Sequence, residues 1–257
     1  MNDVDAGPER ALPLTGERTV PGIAQENYWF RRHEAAYLHL SERCTDAVVL
    51  EAGCGEGYGA ALLARTARRV VGLDYDAATV THVARRYGQV SVLRGNLASL
   101  PIRTRAVDVV VNFQVIEHLW DQAAFLDECA RVLRPGGSLL ISTPNRITFS
   151  PGRDTPLNPF HTRELSGTEL HQLLTDAGFV VHELLGLHHG PALRAMDAAH
   201  RGSMIDAQVA VALSGQPWPE ALLEDVRAVE ASDFEIRPAE IDASLDLIAV
   251  ATVPGPR

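Results

Sequence analysis

Val48-Val49-Leu50-Glu51-Ala52-Gly53-Cys54-Gly55-Glu56-Gly57-Tyr58-Gly59 is the stretch on which the reading of this chain turns. Val48 to Leu50 is a short apolar run rich in β-branched residues, of the kind a parallel sheet buries on both faces. Gly53, Gly55 and Gly57 follow at every second position, which allows a tight turn without Cβ clashes and leaves room for a ligand against the main chain. A helix from about Gly57 to Arg68 is expected next, with its first N–H groups aimed at whatever occupies the turn. This order suits a cofactor that contains a nucleoside. Two other readings stay open. The glycines could be a plain strand-to-helix connection, or Gly55-x-Gly57-x-x-Ala60 could be a dinucleotide fingerprint. The fingerprint fits poorly, because the turn opens at Gly53, and counting from there puts Tyr58 where its third glycine belongs.

The chain has 257 residues, enough for one large α/β domain with elaborations. Hydrophobic content of 46% and charged content of 22% are those of an ordinary globular protein. A net charge of −10 argues against a general nucleic-acid binder, which needs a basic face. All 23 basic residues are arginine, so Schiff-base chemistry and a P-loop lysine are excluded. Cys44, Cys54 and Cys129 are odd in number and far apart, which suggests neither a disulfide framework nor a thiolate zinc site. No run approaches ~18 apolar residues and no leader is recognisable, so the expectation is a cytoplasmic protein without a membrane span.

Residues 1–16 lack periodicity and read as a flexible N-terminus, with residues 17–257 as a single domain behind it. Gln25 to Leu38 is helical in composition, and its Tyr28-Trp29-Phe30-Arg31-Arg32 run is unusual for a plain surface helix. It could pack Trp29 and Phe30 on the sheet. Alternatively residues 17–45 form a helical lid, with an arginine placed to meet a carboxylate. Arg69 to Asp74 reads as a second strand ending in an acid, placed where ribose hydroxyls are held or where a helix is capped. Val90 to Arg94 is a third strand, followed by Asn96-Leu97 in a loop.

Val107 to Asn112 is a fourth strand, and Phe113-Gln114-Val115-Ile116-Glu117-His118-Leu119 follows at the sheet edge where open parallel sheets bind ligands. A helix from Asp121 to Leu133, a stop at Arg134-Pro135-Gly136-Gly137 and a fifth strand from Ser138 to Ser142 come next. Ser166-Gly167-Thr168-Glu169 is a capping box opening a helix to about Ala177. Phe179 to Leu187 and Leu245 to Val253 read as strands six and seven, with an insertion over about 190–243 between them. That insertion could be a lid, an acceptor pocket or the surface of a homodimer.

E-x-G-x-G-x-G from Glu51, an acid after strand two and V-x-E-H-L with L-R-P-G-G-x-L from Val115 onward resemble the class I S-adenosylmethionine (SAM)-dependent methyltransferases over Val48 to Thr143. The resemblance implies a Rossmann-like α/β fold. Its seven-stranded sheet would be mostly parallel with the last strand antiparallel, and helices would cover both faces. It also implies SAM as cofactor, held by Glu51, Gly53, Cys54, Gly55 and Gly57 of the turn. Asp74 and Tyr75 would serve the ribose side, Asn96 and Leu97 the adenine, with Phe113 and Gln114 at strand four and Tyr28 and Arg31 from the N-terminal helix. T-G-E-R-T from Thr15, E-N-Y-W-F-R-R-H from Glu26 and S-T-P-N-R-I-T-F-S-P-G-R-D-T-P-L-N-P-F-H-T-R-E-L from Ser142 are similar to a narrower group. That group is the mycobacterial methyltransferases of polymethylated polysaccharides, such as methylglucose lipopolysaccharide and methylmannose polysaccharide. This narrower resemblance implies O-methylation of a saccharide.

A sugar hydroxyl is too weakly acidic to ionise alone, so a base or a metal is needed. His118 is the first choice, with Glu117 to orient it and His161 as second candidate, although each histidine could equally be structural. Mg²⁺ is an option that some O-methyltransferases raise, but the residues show no ligand triad. Competing readings are an O-methyltransferase acting on a quinone, lipid or small secondary metabolite, and a non-catalytic SAM- or NAD-binding module. An apolar insertion would favour the former over a saccharide acceptor.

Overall fold

The computed structural model describes residues 18–255, so the segment read as a flexible N-terminus lies outside the described residues. Eight strands form one sheet in the order β3-β2-β1-β4-β5-β8-β6-β7. They are β1 (Val48–Ala52), β2 (Arg69–Asp74), β3 (Val90–Arg94), β4 (Val107–Phe113), β5 (Leu133–Pro144), β6 (Val180–His189), β7 (Phe234–Arg237) and β8 (Asp246–Thr252). Pairings from β3 to β5 are parallel, and those of β8 with β5 and β6 and of β7 with β6 are antiparallel. The expected last antiparallel strand is therefore present as β8. The count of seven needs correction to eight, because β7 lies inside the 190–243 insertion. Phe-Glu-Ile-Arg is only four residues long and pairs on one side alone, which leaves too short an alternation to recognise in sequence. The Glu235–Arg237 ion pair marks it as a charged edge.

Helices cover both faces, as the alternation of buried residues demands. Val49, Val109, Val111 and Leu140 point to a core shared with α1 (Asn27–Leu40), α2 (Tyr58–Leu63), α3 (Ala77–Arg86) and the insertion. Their neighbours Leu50, Val110, Leu139 and Ile141 point to a second core with α4 (Gln122–Val132) and, beyond the short α5 (Arg146–Phe149), α6 (Gly167–Asp176). The insertion contributes α7 (Pro191–Ala199), α8 (Met204–Ser214) and α9 (Glu220–Ala228) before β7.

Local signals place most boundaries. Asp76 and Asp121 cap α3 and α4, and Ser166 with Glu169 forms the full capping box of α6. Helix α2 is shorter than expected, because after Leu63 the chain tightens into i→i+3 turns at Arg65 and Thr66. Strand β5 starts earlier than Ser138. Leu133 already pairs with Val107, and the Arg134-Pro135-Gly136-Gly137 segment bulges out of the ladder before Ser138 pairs with Val109.

The strand order reverses direction between β1 and β4. Their carboxyl ends therefore open a crevice at the switch point, where ligands bind in open α/β sheets. Fully buried Asn112 ties the two ends together by donating to the Ala52 carbonyl at 2.8 Å.

Candidate active site

The glycine turn leaves β1 with positive φ angles at alternate positions, +88° at Gly53, +51° at Gly55 and +97° at Gly57. A side chain is costly at any of them. A Cβ at Gly53 would lie 2.7 Å from Val115, so that glycine packs against the strand-four loop. A Cβ at Gly55 would instead meet nothing within 4 Å. That open concavity over bare backbone fits a ligand lying against the main chain. Asp74 at the end of β2 accepts from Gly55 N and Asp76 N at 2.9 Å each, so the acid and the turn are one unit. Burial raises its pKa against those two bonds. Its remaining lone pairs suit vicinal hydroxyls. Tyr75 beside it is 72% exposed with the Arg94 guanidinium over its ring, which makes a surface for a flat group.

Glu51 plays a different part. It is buried, accepts from the Tyr37 hydroxyl at 2.5 Å, and burial pushes its carboxyl up to about 8. Cys54 is likewise buried, with its side chain against Gly72, while Leu97 turns into the core and Phe113 packs on Tyr37 with centroids 4.7 Å apart. Asn96 is exposed, and its Oδ1 accepts from Ala98 N at 2.9 Å within its own turn. Gln114 takes φ +56°, a strained angle for a residue with a Cβ, and is held there by Gln114 N to Ser142 O at 2.7 Å. Tyr28, expected at the cofactor, is placed elsewhere: it is fully buried and bonds His189 Nε2 through its hydroxyl at 2.7 Å. Arg31 pairs with Glu34 at 2.6 Å, with its guanidinium over the Phe30 ring that packs on Tyr58 after the turn.

Beside Gln114 lies a cavity of about 380 Å³. Its walls come from the segment before α1 (Arg18, Thr19, Glu26), from α1 (Trp29, Arg32, His33), from the strand-four loop (Glu117, His118), from the loop after β5 (Phe149, Asn158, His161) and from Val209 of α8. Sequence reasoning missed Glu26, Trp29 and His33, although their i, i+3, i+7 spacing puts them on one helical face and leaves Arg31 on another. Arg32, on the same face, is committed to a bidentate, buried pair with Asp246 at 2.6 and 2.7 Å.

Three histidines border this cavity and differ in what they can do. Burial pushes His33 down to about 4, too weak a base for chemistry near neutrality. His161 has Nδ1 2.7 Å from Glu164 Oε1 and Nε2 3.1 Å from the Asn158 amide, so Nδ1 donates and Nε2 accepts. Both nitrogens are thus engaged. His118 has Nδ1 3.0 Å from the Phe160 carbonyl, which can only accept. Nδ1 therefore carries the proton in the neutral ring and Nε2 carries the lone pair. Glu117 Oε1 lies 3.9 Å from that Nε2, and Thr143 Oγ1 donates to Oε2 at 2.9 Å. Burial pushes Glu117 up to about 8. Thr162 and Arg163 N–H groups both donate to the Glu117 carbonyl, which locks the post-β5 loop onto the histidine turn.

Glu117, His118 and His161 bring ligand-type atoms within 4.8 Å of one another, a convergence that depends on the fold. The set does not fit Mg²⁺, a hard cation that takes oxygen ligands, since two of the three donors are imidazoles and His161 is already saturated.

Comparison with known proteins accords with this geometry. A family model described as a methyltransferase domain matches residues 50–141. A probable SAM-dependent methyltransferase of Mycolicibacterium smegmatis is 63% identical over 99% of this chain and 100% of its own. A ubiquinone biosynthesis O-methyltransferase of Psychrobacter arcticus is 30% identical over 56% of this chain and 63% of its own. Among solved structures, a SAM-dependent methyltransferase of Thermotoga maritima shares the fold with a TM-score of 0.59 at 19% identity, covering 87% of this chain and 92% of that one. The chain belongs to the class I SAM-dependent methyltransferases. It is accordingly an enzyme with SAM as its cofactor. When bound, SAM supplies an electrophilic methyl carbon on a sulfonium. The turn and Asp74 are the residues of this chain that fit it. Among the described residues no helix is long and apolar enough to cross a membrane.

Proposed function

We propose that this enzyme methylates a hydroxyl group of a saccharide, in the assembly of a polymethylated polysaccharide. The observation that carries the O-methylation is the His118 tautomer: with Nδ1–H fixed on the Phe160 carbonyl, Nε2 is the basic atom beside the cavity. His118 Nε2 takes the proton of the acceptor hydroxyl as the oxygen gains its methyl group. Glu117 Oε1 sits 3.9 Å from Nε2 and, with its carboxyl held largely protonated near neutrality, shapes this side of the site by position rather than by charge. Thr143 and the two N–H groups on its carbonyl keep Glu117 in place.

The acceptor class rests on the narrower sequence resemblance. Trp29 and Phe149 offer flat faces for a sugar ring, while Glu26, Asn158 and the Arg18 side offer hydrogen-bonding groups. Phe149, Leu157, Pro159 and Val209 favour a second reading, an aromatic or lipid hydroxyl. Relatives named as ubiquinone biosynthesis O-methyltransferases support that alternative. In this reading the lid of residues 17–45 and the insertion are the walls that close on the acceptor.

An acceptor panel tests the choice. Short gluco- and manno-oligosaccharides, a catechol and a quinol are incubated with SAM, and product mass and S-adenosylhomocysteine release are followed. Methylated saccharide is the expected product. Turnover confined to the phenolic acceptors would replace the saccharide reading with the second one.

A further inference from the structure

A second cavity, of about 330 Å³, lies on the other side of the post-β5 loop. Its lining differs from that of the catalytic cavity. Arg146, Arg153 and Arg163 are balanced by Asp154, Glu164 and Glu169, with hydroxyls of Ser150, Thr155 and Thr162 and almost nothing apolar. Only Arg146 of the three arginines is paired, with Glu169 at 3.2 Å. The exposed side chains of Arg153 and Arg163 have no hydrogen bond or ion pair among the described residues. Glu164 is 3% exposed, and its Oε2 is buried with no hydrogen-bond partner.

These features select a ligand chemistry. Arginine-rich sites that bind phosphate or carboxylate carry surplus positive charge, whereas here donors and carboxylate acceptors are equal in number. An anion would face three carboxylates. A neutral polyol is not repelled by them, because each of its hydroxyls both donates and accepts and finds both partners on these walls. The place of the cavity matters as well. Glu164 Oε1 holds His161 at 2.7 Å, and His161 lines the catalytic cavity, so the two cavities share one hydrogen-bonded wall.

We infer that the second cavity is a saccharide subsite, holding sugar units of the acceptor remote from the hydroxyl that is methylated. This inference rests on the saccharide reading of the active site. Arg153 and Arg163 then grip sugar hydroxyls as donors, with Asp154 as an acceptor. The consequence is a preference for oligomeric over monomeric acceptors.

The test is calorimetric titration of the full chain with maltotetraose, mannotetraose and, separately, inorganic phosphate. It is repeated on Arg153→Ala and Arg163→Ala, whose side chains hold nothing else in place. Expected is binding of a tetrasaccharide but not phosphate, weakened about tenfold by each substitution, with S-adenosylhomocysteine affinity unchanged. Tetrasaccharide affinity equal in wild type and both variants, no tetrasaccharide binding at all, or phosphate binding in competition with the sugar would each overturn the subsite. Methyl transfer, measured in parallel, separates this inference from the reading beneath it. Arginine-dependent binding without methylation keeps the subsite and sinks the saccharide as substrate. Methylation with the same KM in wild type and both variants keeps the substrate and sinks the subsite.

Discussion

The proposed cofactor side and the proposed acceptor side of the crevice are built in opposite ways. On the cofactor side each element sits within a few residues of a strand end: the glycines after β1 and Asp74 closing β2, with Gln114 just past β4 bordering both sides. Backbone bonds fix them, such as Gly55 N to Asp74 and Gln114 N to Ser142. The acceptor cavity gathers side chains from the segment before α1, α1 itself, the strand-four loop, the post-β5 loop and α8. Long-range side-chain bonds hold it, chiefly Arg32 to Asp246 and Thr162 to Glu117 and Leu119. One side is a local consequence of the sheet, and the other exists only once the whole chain has folded.

The difference sets the expected effects of breaking either side. The largest stability loss belongs to Arg32→Ala, which leaves the Asp246 carboxylate buried and unpaired. Removing one partner of such a pair costs about 3–5 kcal/mol. Denaturant unfolding measures it, and acceptor affinity should fall far more than S-adenosylhomocysteine affinity in the protein that still folds. Gly59→Ala attacks the other side, since a Cβ there would run into the Tyr37 ring and Glu51 Oε1. A loss of about 1–3 kcal/mol is expected, now with weaker S-adenosylhomocysteine binding, because the Tyr37–Glu51 contact sits directly under the turn.

A pH dependence of stability completes the set. Glu51 keeps its proton up to about 8 in the folded protein but ionises near 4.5 when unfolded. The folded state binds more protons between those values, so stability falls as pH rises through the window. Glu117 adds a contribution of the same sign. Melting temperatures from about pH 5 to 8 should decline, and Glu51→Gln should flatten the decline, with each carboxyl accounting for at most about 1.4 kcal/mol per pH unit. A Glu51→Gln curve as steep as that of the wild type would remove Glu51 from this account.

The same contrast explains what could be read in the sequence. The five parallel strands, the capping box at Ser166 and the turn with Asp74 rest on adjacent residues, so period and spacing reveal them. The partners of the histidines were out of reach. Nothing near His118 announces the Phe160 carbonyl, and Glu164 and Asn158 silence His161 only after the loop has closed. Tyr28 shows the cost of taking a segment whole. Aromatic and basic residues stood together in E-N-Y-W-F-R-R-H, but the helix turns Trp29 and His33 to the cavity, buries Tyr28 and points Arg31 at Glu34. Strand β7 was hidden for a plainer reason, having four residues on an edge.

If the two sides are separable, one variant should divide them. His118→Ala is assayed for methyl transfer and titrated with S-adenosylhomocysteine in the same preparation. The account predicts a kcat lower by about 10²–10⁴, the usual worth of a positioned base, with an S-adenosylhomocysteine Kd within twofold of the wild type. Undiminished kcat would contradict the assignment of His118 as the base, and a parallel loss of S-adenosylhomocysteine binding would contradict the division of the site into two sides.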